Sequence, residues 1–385
     1  MLRGIRSCRT LNKHSAMSRA STKEQWEAYR DAELERLVPM LATHGFVLDD
    51  EQQHLLGERF LMQALSGTSG RKLILTGSRT SDGKRVIIKA TSDEKGKEEL
   101  RHEVACRDML DSLDFAYRVF HSPAELASFE RDNMFVIIRE FIDQDSQFID
   151  RPTPEQFTYA LAALKEQESA HANVHRNIKL VTKVYERYSA SDYIDRYIDF
   201  RTNTLEKNDN NHKLLDTLTR GLDFLQANRT TIERYNDFLT HWDFVPHNFR
   251  IHNDTLYLLD LTSIRFANKY ESWARFCNFM VLYNPELLEA LLQYVRDNRC
   301  PEEYLALRLM RTFRLGEIVW YYTRATENST GDLQKLNRAR IELWADVLGS
   351  VLNDQPLPEA VRQKYIATRD ALRSDEEKKR QKNLH

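Results

Sequence analysis

The chain has 385 residues, more than the roughly 250–300 at which a single hydrophobic core stops growing, so we expect two lobes or domains. Hydrophobic residues make up 41% and charged residues 30% of the sequence, which is typical of globular proteins and excludes a disordered or fibrous chain. The 56 basic residues are balanced by 58 acidic ones, for a net charge of −2, so the composition predicts no nucleic-acid partner.

The four cysteines are far apart and form no C-x-x-C pair, so the sequence indicates neither a zinc cluster nor a disulfide framework. The apolar runs are much shorter than the roughly 18 residues of a membrane span, so we expect no membrane partner and a cytoplasmic protein. Residues 1–23 contain six Lys or Arg and no acidic residue. We interpret this segment as a disordered basic leader, with a start at Met17 or a mitochondrial transit peptide as the alternatives.

Apolar residues recur every three to four positions in 24–58, which predicts an N-terminal helical extension. The period then changes, because RKLILTGS and KRVIIKA are short runs of apolar and β-branched residues. They flank Asp82 and Gly83, a turn signal that predicts an antiparallel hairpin. A further helix and a third strand, NMFVIIREFID, follow the hairpin.

Two prolines, Pro152 and Pro154, separate this part from a long region of helical patterning. We therefore predict an α+β fold of two lobes, a small antiparallel sheet with one helix followed by a larger, mostly helical lobe. The predicted segments are the basic leader 1–23, the helical extension 24–58, the small lobe 59–145, the helical lobe 146–372 and a charged tail 373–385.

The segment HWDFVPHNFRIHNDTLYLLDLTS, residues 241–263, carries the candidate site. Pro246 prevents a regular helix, so Asp243 and Asn248 lie on a loop. TLYLLD is patterned as a strand and the preceding Asn-Asp pair as a turn, so a hairpin would bring Asn248 close to Asp260. Oxygen-bearing side chains near one point suit Mg²⁺, which keeps several waters and is held by one or two carboxylates and substrate phosphates.

This segment resembles the catalytic loop of the aminoglycoside phosphotransferase and choline kinase branch of the protein-kinase-like superfamily. His241, Asp243, Asn248 and Asp260 match its H-x-D-x-x-x-x-N pattern and its strand-ending aspartate. The resemblance implies that Asp243 accepts the proton of an acceptor hydroxyl and that His241 orients the catalytic loop. It also implies that Asn248 and Asp260 hold Mg²⁺.

Two positions depart from the family pattern, because Trp242 and His247 stand where that branch tends to have glycine. After Asp260 the chain continues as LTS, and no Ala-Pro-Glu segment follows. This difference favours a small-molecule acceptor over a regulated protein kinase.

The predicted small lobe contains a second element of the same resemblance. VIIK, residues 86–89, is similar to the strand whose lysine contacts the α- and β-phosphates of ATP and pairs with a helix glutamate. The resemblance implies that Lys89 pairs with Glu103, with Glu99 one helical turn earlier as the alternative partner.

The remaining nucleotide contacts are implied more weakly. Gly67 and Gly70 are candidates for a phosphate-covering loop, although they lack the G-x-G-x-x-G spacing and a plain turn is the alternative. The resemblance also implies that adenine meets backbone groups of Glu140, Phe141 and Ile142, where the third strand leaves the small lobe.

The resemblance spans roughly residues 60–290 and implies an ATP-dependent phosphotransferase that moves the γ-phosphoryl group to a hydroxyl of a small molecule. ATP and Mg²⁺ are the implied cofactors. The alternatives are a catalytically reduced kinase-like protein that binds nucleotide or acts as a scaffold, and a protein kinase. The mixed charges of the helical lobe favour neither a cationic nor an anionic acceptor.

Overall fold

The computed structural model of the chain describes residues 19–52, 70–113, 120–208, 211–373 and 378. Within these residues, a small lobe is built on a five-stranded antiparallel sheet, and a larger lobe is mostly helical. This is the α+β, two-lobed architecture that the sequence predicts. The predicted leader and tail lie largely outside the described residues, as do residues 53–58 of the predicted helical extension.

The small lobe has the strand order β1-β2-β3-β5-β4 in its sheet, and all neighbouring strands are antiparallel. Its strands are β1 (Phe46–Leu48), β2 (Leu73–Arg79), β3 (Arg85–Thr91), β4 (Glu125–Arg131) and β5 (Met134–Glu140). Its helices are α1 (Arg19–Thr43) and α2 (Glu94–Ser112). The predicted hairpin corresponds to β2 and β3, with Gly83 at a φ of 69° in the connecting turn.

The edge strands β1 and β4 are missing from the sequence-based prediction. β1 spans only three residues, and most residues of β4 are at least partly exposed, so neither strand has a strong apolar pattern. The β4–β5 turn does have a local signal, because Asp132 and Asn133 both adopt positive φ values, 49° and 62°. Such pairs are typical of two-residue hairpin turns.

The described part of segment 24–58 belongs to the small lobe and is not a separate extension. β1 pairs with β2, and Leu37 and Leu41 of α1 are buried in one apolar cluster with Leu73 and Val136 of the sheet. Within the described residues, the small lobe therefore contains two helices where the sequence predicts one. Burial of this α1 face against the sheet is what holds the segment in place.

The large lobe begins after β5 and contains eleven α-helices within the described residues. They are α3 (Thr153–Ser169), α4 (His171–Arg176), α5 (Ile178–Val181), α6 (Ala190–Leu205), α7 (His212–Ala227), α8 (Arg229–Arg234), α9 (Glu271–Tyr283), α10 (Pro285–Asn298), α11 (Pro301–Glu327), α12 (Gly331–Leu352) and α13 (Glu359–Leu372). Two short antiparallel ladders lie among them. They pair β6 (Phe238–His241) with β9 (Ile264–Ala267), and β7 (Phe249–His252) with β8 (Thr255–Leu258).

The core of the large lobe extends to α2 of the small lobe. Cys106 and Met109 of α2 belong to the same buried cluster as the aromatic residues of α6, α9 and α11. Tyr185 Oη donates a hydrogen bond to the carbonyl of Cys106 at 2.6 Å. No helix in the described residues has the length and apolar character needed to cross a membrane.

Candidate active site

Residues 241–248 connect β6 to β7, and the β7–β8 hairpin brings the two ends of the candidate segment together. Asn253 and Asp254 form its turn with φ values of 47° and 58°. Just beyond the last ladder pair, the Leu259 N–H donates to the carbonyl of Asn248 at 2.8 Å. Asn248 and Asp260 therefore lie at adjacent ends of a hairpin, as the turn pattern predicts.

His241 holds the chain just before Asp260. Its side chain is fully buried, and Nε2 lies 3.0 Å from the carbonyl oxygen of Leu259. A carbonyl can only accept, so Nε2 carries the proton. The backbone N–H of His241 donates to Ser272 Oγ on α9 at 2.9 Å. This geometry suits a residue that positions the neighbouring strands.

Asp243 is held by two partners from different parts of the chain. Asn248 Nδ2 donates to Asp243 Oδ2 at 3.0 Å and to the Asp243 carbonyl at 2.8 Å. Arg275 of α9 places Nε 2.9 Å and Nη2 2.8 Å from Asp243 Oδ1. The Asp243 side chain remains 35% exposed, so a small molecule can reach it.

The charge of Arg275 determines the protonation of Asp243. Burial alone would raise the pKa of Asp243, but the guanidinium of Arg275 outweighs it and lowers that pKa well below its ordinary value. Asp243 is therefore ionised at neutral pH. Sequence reasoning missed Arg275, although a single arginine in the apolar helix ESWARFCNFMVLY is a signal that a charge partner is needed.

Asp260 adopts a left-handed backbone conformation, with φ 58° and ψ 62°. Asp and Asn tolerate this conformation better than most residues. Two hydroxyls fix its carboxylate: Thr262 Oγ1 donates to Oδ1 at 2.5 Å and Ser263 Oγ to Oδ2 at 2.8 Å. The LTS sequence that departs from the family pattern thus fixes the direction of this side chain.

The oxygens of Asn248 and Asp260 fit the requirements of Mg²⁺. No described residue donates to Asn248 Oδ1, and each Asp260 oxygen accepts one side-chain hydrogen bond and keeps acceptor capacity. Within the described residues no group of three or more His, Cys, Asp or Glu is arranged to hold a metal ion. An amide oxygen and one carboxylate are a partial set of ligands that suits an ion which keeps waters and binds phosphates.

The small lobe presents a buried ion-pair cluster centred on Glu103. Lys89 Nζ of β3 lies 2.5 Å from Glu103 Oε1, and Arg139 Nη1 of β5 lies 2.5 Å from the same oxygen. Burial alone would raise the pKa of Glu103, but the cations of Lys89 and Arg139 lower it to about 2. The sequence did not indicate Arg139, which reaches Glu103 only because β5 pairs with β3.

Glu99, the alternative partner of Lys89, and Gly70, a candidate for the phosphate-covering loop, form a hydrogen bond with each other. Glu99 accepts from the Gly70 N–H at 2.7 Å and from Lys72 Nζ at 2.6 Å, so it is not the partner of Lys89. A Cβ atom on Gly70 would lie 2.1 Å from the backbone nitrogen of Gly96. Glycine at 70 therefore allows close packing on α2, and its N–H is not free for a phosphate. Gly67 lies outside the described residues.

The strand that leaves the small lobe offers one unused backbone donor. The Glu140 N–H donates to Ala124 O at 2.9 Å and the Phe141 N–H to Arg85 O at 3.2 Å. No described residue accepts from the Ile142 N–H. Of the three predicted adenine-binding positions, Ile142 is therefore the one whose N–H is available.

Trp242 packs into the large lobe, away from the polar groups of the loop. Its ring lies 5.2 Å from that of Tyr188 and 5.8 Å from that of Phe313, and it is 8% exposed. The guanidinium carbons of Arg265 and Arg314 lie 4.4 and 4.3 Å from the ring centroid. His247 packs edge-on against Phe279 at 5.4 Å. The bulk that replaces glycine is thus accommodated by aromatic and cation–π contacts.

Helix α2 connects the two groups of polar residues. This helix packs on the turn Leu261–Ser263 directly after Asp260. Burial, with smaller contributions from the charges of Glu103 and Asp260, raises the pKa of the Cys106 thiol on α2 to about 12. Helix α2 therefore carries the partner of Lys89 and also contacts the turn that follows Asp260.

Comparison with solved structures confirms the fold predicted from the resemblance. A thermostable mutant of aminoglycoside phosphotransferase APH(4)-Ia aligns with a TM-score of 0.52 at 12% identity, over 77% of this chain and 99% of that one. Macrolide 2'-phosphotransferase type I aligns with a TM-score of 0.50 at 14% identity, over 85% and 99%. An aminoglycoside phosphotransferase from Alicyclobacillus acidocaldarius aligns with a TM-score of 0.50 at 15% identity, over 77% and 92%. No protein-family model and no curated protein sequence matches the chain.

Proposed function

We propose that this protein is an ATP-dependent phosphotransferase that moves the γ-phosphoryl group to a hydroxyl of a small molecule. One observation carries the proposal. Helix α2 carries Glu103, the partner of Lys89, and packs on the turn that follows Asp260 of the Asp–Asn–Asp set, in a fold shared with phosphotransferases. One structural neighbour, a mutant of APH(4)-Ia, was solved as a ternary complex with ADP and hygromycin B.

Asp243 is the proposed acceptor of the hydroxyl proton. Asn248 and Arg275 orient its carboxylate, and Oδ2 keeps acceptor capacity beyond its one bond to Asn248. A carboxylate of such low basicity removes a proton poorly from an unreacted alcohol. It is adequate for a loose transition state, in which the hydroxyl loses its proton late and positioning supplies most of the rate enhancement.

Lys89 is the proposed ligand of the α- and β-phosphates. Glu103 holds its ammonium group at the inner face of the sheet, where the lysine side chain is still 19% exposed. Arg139 keeps Glu103 ionised and buried, so the lysine has a fixed partner before nucleotide arrives. The Ile142 N–H is the proposed adenine contact.

Asn248 and Asp260 are the proposed ligands of Mg²⁺, through Asn248 Oδ1 and the Asp260 carboxylate. When bound, the ion would neutralise phosphate charge. The hydroxyls of Thr262 and Ser263 hold the Asp260 carboxylate in a fixed orientation, and His241 fixes the strand end from which Asp260 projects.

The proposal is tested by measuring ATP consumption with a panel of amino alcohols, sugars, aminoglycosides, macrolides and nucleosides. We expect at least one hydroxylated compound to stimulate consumption stoichiometrically with its phosphorylation. Lys89→Met and Asp243→Asn should each abolish the stimulation while the far-UV circular dichroism spectrum is retained. Full activity in both variants would contradict the assignment.

A second function, nucleotide binding without transfer, is favoured by the fact that both oxygens of Asp243 already accept hydrogen bonds within the protein. It predicts that Mg²⁺-ATP raises the melting temperature of the protein and that no acceptor accelerates ATP consumption. The same acceptor panel, read beside a thermal-shift measurement, distinguishes the two functions.

A further inference from the structure

We propose that Arg275 is a further catalytic residue of this site, whose guanidinium binds the phosphoryl group during transfer while it holds Asp243. The proposal rests on the phosphotransferase function proposed above. It concerns a residue that the H-x-D-x-x-x-x-N pattern does not contain, because Arg275 lies 32 positions after Asp243 on α9.

The hydrogen bonding of Arg275 leaves donors unused beside the reacting carboxylate. Nε and Nη2 both bind Asp243 Oδ1, at 2.9 and 2.8 Å. A guanidinium has five N–H groups, so three remain, and no described residue accepts from them. The Arg275 side chain is 19% exposed, and the Asp243 side chain that it binds is 35% exposed, so neither group is sealed from solvent.

The negative charge of Asp243 requires a cation beside it when a phosphoryl group binds. The γ-phosphoryl group must approach an ionised carboxylate, and two like charges at short distance repel strongly. The loop HWDFVPHN contains no Lys or Arg that would offset this repulsion. Arg275 offsets the charge of this carboxylate, and the same guanidinium carries the three remaining donors.

The other nearby arginines are committed elsewhere. Arg265 lies over Trp242 and forms an ion pair with Glu186, while Arg314 lies over the same ring and forms an ion pair with Glu317. Neither of them contacts the Asp243 carboxylate among the described contacts. Arg275 is therefore the described arginine that is placed to act at Asp243.

The step assigned to Arg275 is stabilisation of the transferring group. The acceptor oxygen forms a bond to the γ-phosphorus while the bond to the β–γ bridging oxygen breaks. The electron pair of that bond leaves with ADP, and the hydroxyl proton passes to Asp243 Oδ2. Arg275 donates to a non-bridging oxygen of the group in transit, an interaction for which the planar guanidinium is well suited.

The test uses the full-length protein and Mg²⁺-ADP with aluminium fluoride, a mimic of the phosphoryl group in transit. For Arg275→Met we expect the Kd of ADP to stay within about twofold, and the affinity for ADP with aluminium fluoride and kcat to fall by about 100-fold. Arg275→Lys should recover part of both losses. Arg296→Met, on the surface of α10, is the control and should leave all three quantities unchanged.

A variant that combines Arg275→Met with Asp243→Asn separates two roles of Arg275, binding the phosphoryl group and positioning Asp243. It also avoids the unpaired Asp243 charge that Arg275→Met alone would leave. In the Asp243→Asn background, Arg275→Met should still weaken the aluminium fluoride complex by about tenfold or more. No further weakening in that background, or an unchanged complex in Arg275→Met alone, would overturn the proposal. Failure of the proposed phosphotransferase function would give a different result, because the wild-type protein would then form no aluminium fluoride complex and transfer no phosphoryl group. That result would also overturn the role proposed for Arg275.

Discussion

Lys89 of β3 and Glu103 of α2 form an ion pair of 2.5 Å that joins the sheet of the small lobe to the helix in contact with the large lobe. Arg139 binds the same carboxylate oxygen, so Glu103 keeps a cationic partner when Lys89 is removed. The cluster can therefore lose its lysine without leaving a buried charge unpaired.

Lys89→Met should abolish phosphoryl transfer with little effect on the fold. Arg139 still compensates Glu103, so we expect the free energy of unfolding to fall by no more than about 2 kcal/mol. The affinity for Mg²⁺-ATP, measured by calorimetry, should fall at least tenfold. Lys207→Met, which removes a surface lysine paired with Glu327, is the matched control and should leave both quantities unchanged.

The stability that ionised Glu103 adds to the fold should be lost in acid. Its pKa is lowered from 4.5 to about 2 in the folded state, because the cations of Lys89 and Arg139 outweigh the effect of burial. A lowered folded-state pKa adds stability that is fully present above pH 4.5 and is lost as the pH falls towards 2, here up to about 3 kcal/mol. Urea unfolding of wild type and Glu103→Gln between pH 7 and 3 checks this. The stability difference should shrink on acidification, and a constant difference would be the contrary result.

Glu271 should reduce the stability of the protein as the pH rises, which is the opposite of the pH dependence from Glu103. It is fully buried, accepts a hydrogen bond from Tyr193 Oη at 2.6 Å, and burial raises its pKa from 4.5 to about 7 despite the nearby Arg314. A raised carboxyl pKa means that stability is present at low pH and declines as the pH rises from 4.5 to 7, by up to about 3 kcal/mol. Glu271→Gln should reduce this decline in urea unfolding measurements. An identical slope in wild type and variant would contradict the assignment.

Asp260→Asn should weaken the Mg²⁺ dependence of nucleotide binding while keeping the local backbone. Asn tolerates the left-handed conformation of Asp260 and can still accept from Thr262, but it loses the negative charge that favours the ion. Asp254→Asn is the matched control, because Asp254 has the same φ of 58° in the β7–β8 turn. Titration of Mg²⁺ at fixed ATP should show a shift of tenfold or more, on the order expected for one charged ligand, only for Asp260→Asn.

The parts of the fold that the sequence predicts correctly are those set by neighbouring residues, such as the two residues of a hairpin turn. Asp82-Gly83 and Asn253-Asp254 form the turns they indicate, and each sets the register of its hairpin. The sequence predicts a separate extension for the segment that contains β1, because β1 and β2 are far apart in the chain and their pairing leaves no local pattern. Tertiary pairing, and not local propensity, decides such short edge strands.

The candidate site shows the same difference between residues that are close in sequence and residues that are far apart. His241, Asp243, Asn248 and Asp260 could be placed together because one hairpin joins them. Arg275 and Arg139 act on Asp243 and Glu103 from other elements, at separations of 32 and 36 residues. A single sequence shows only that each is a charge on a largely buried element. Which carboxylate each arginine binds follows from the packing of α9 and the pairing of β5.

The most direct measurement is ³¹P nuclear magnetic resonance of a reaction containing the protein, Mg²⁺-ATP and an acceptor that accelerates ATP consumption. The proposed function predicts a new phosphomonoester resonance that grows in step with ADP, is absent with Asp243→Asn, and does not form without acceptor. Appearance of inorganic phosphate alone, or an equal phosphomonoester signal with Asp243→Asn, would contradict it.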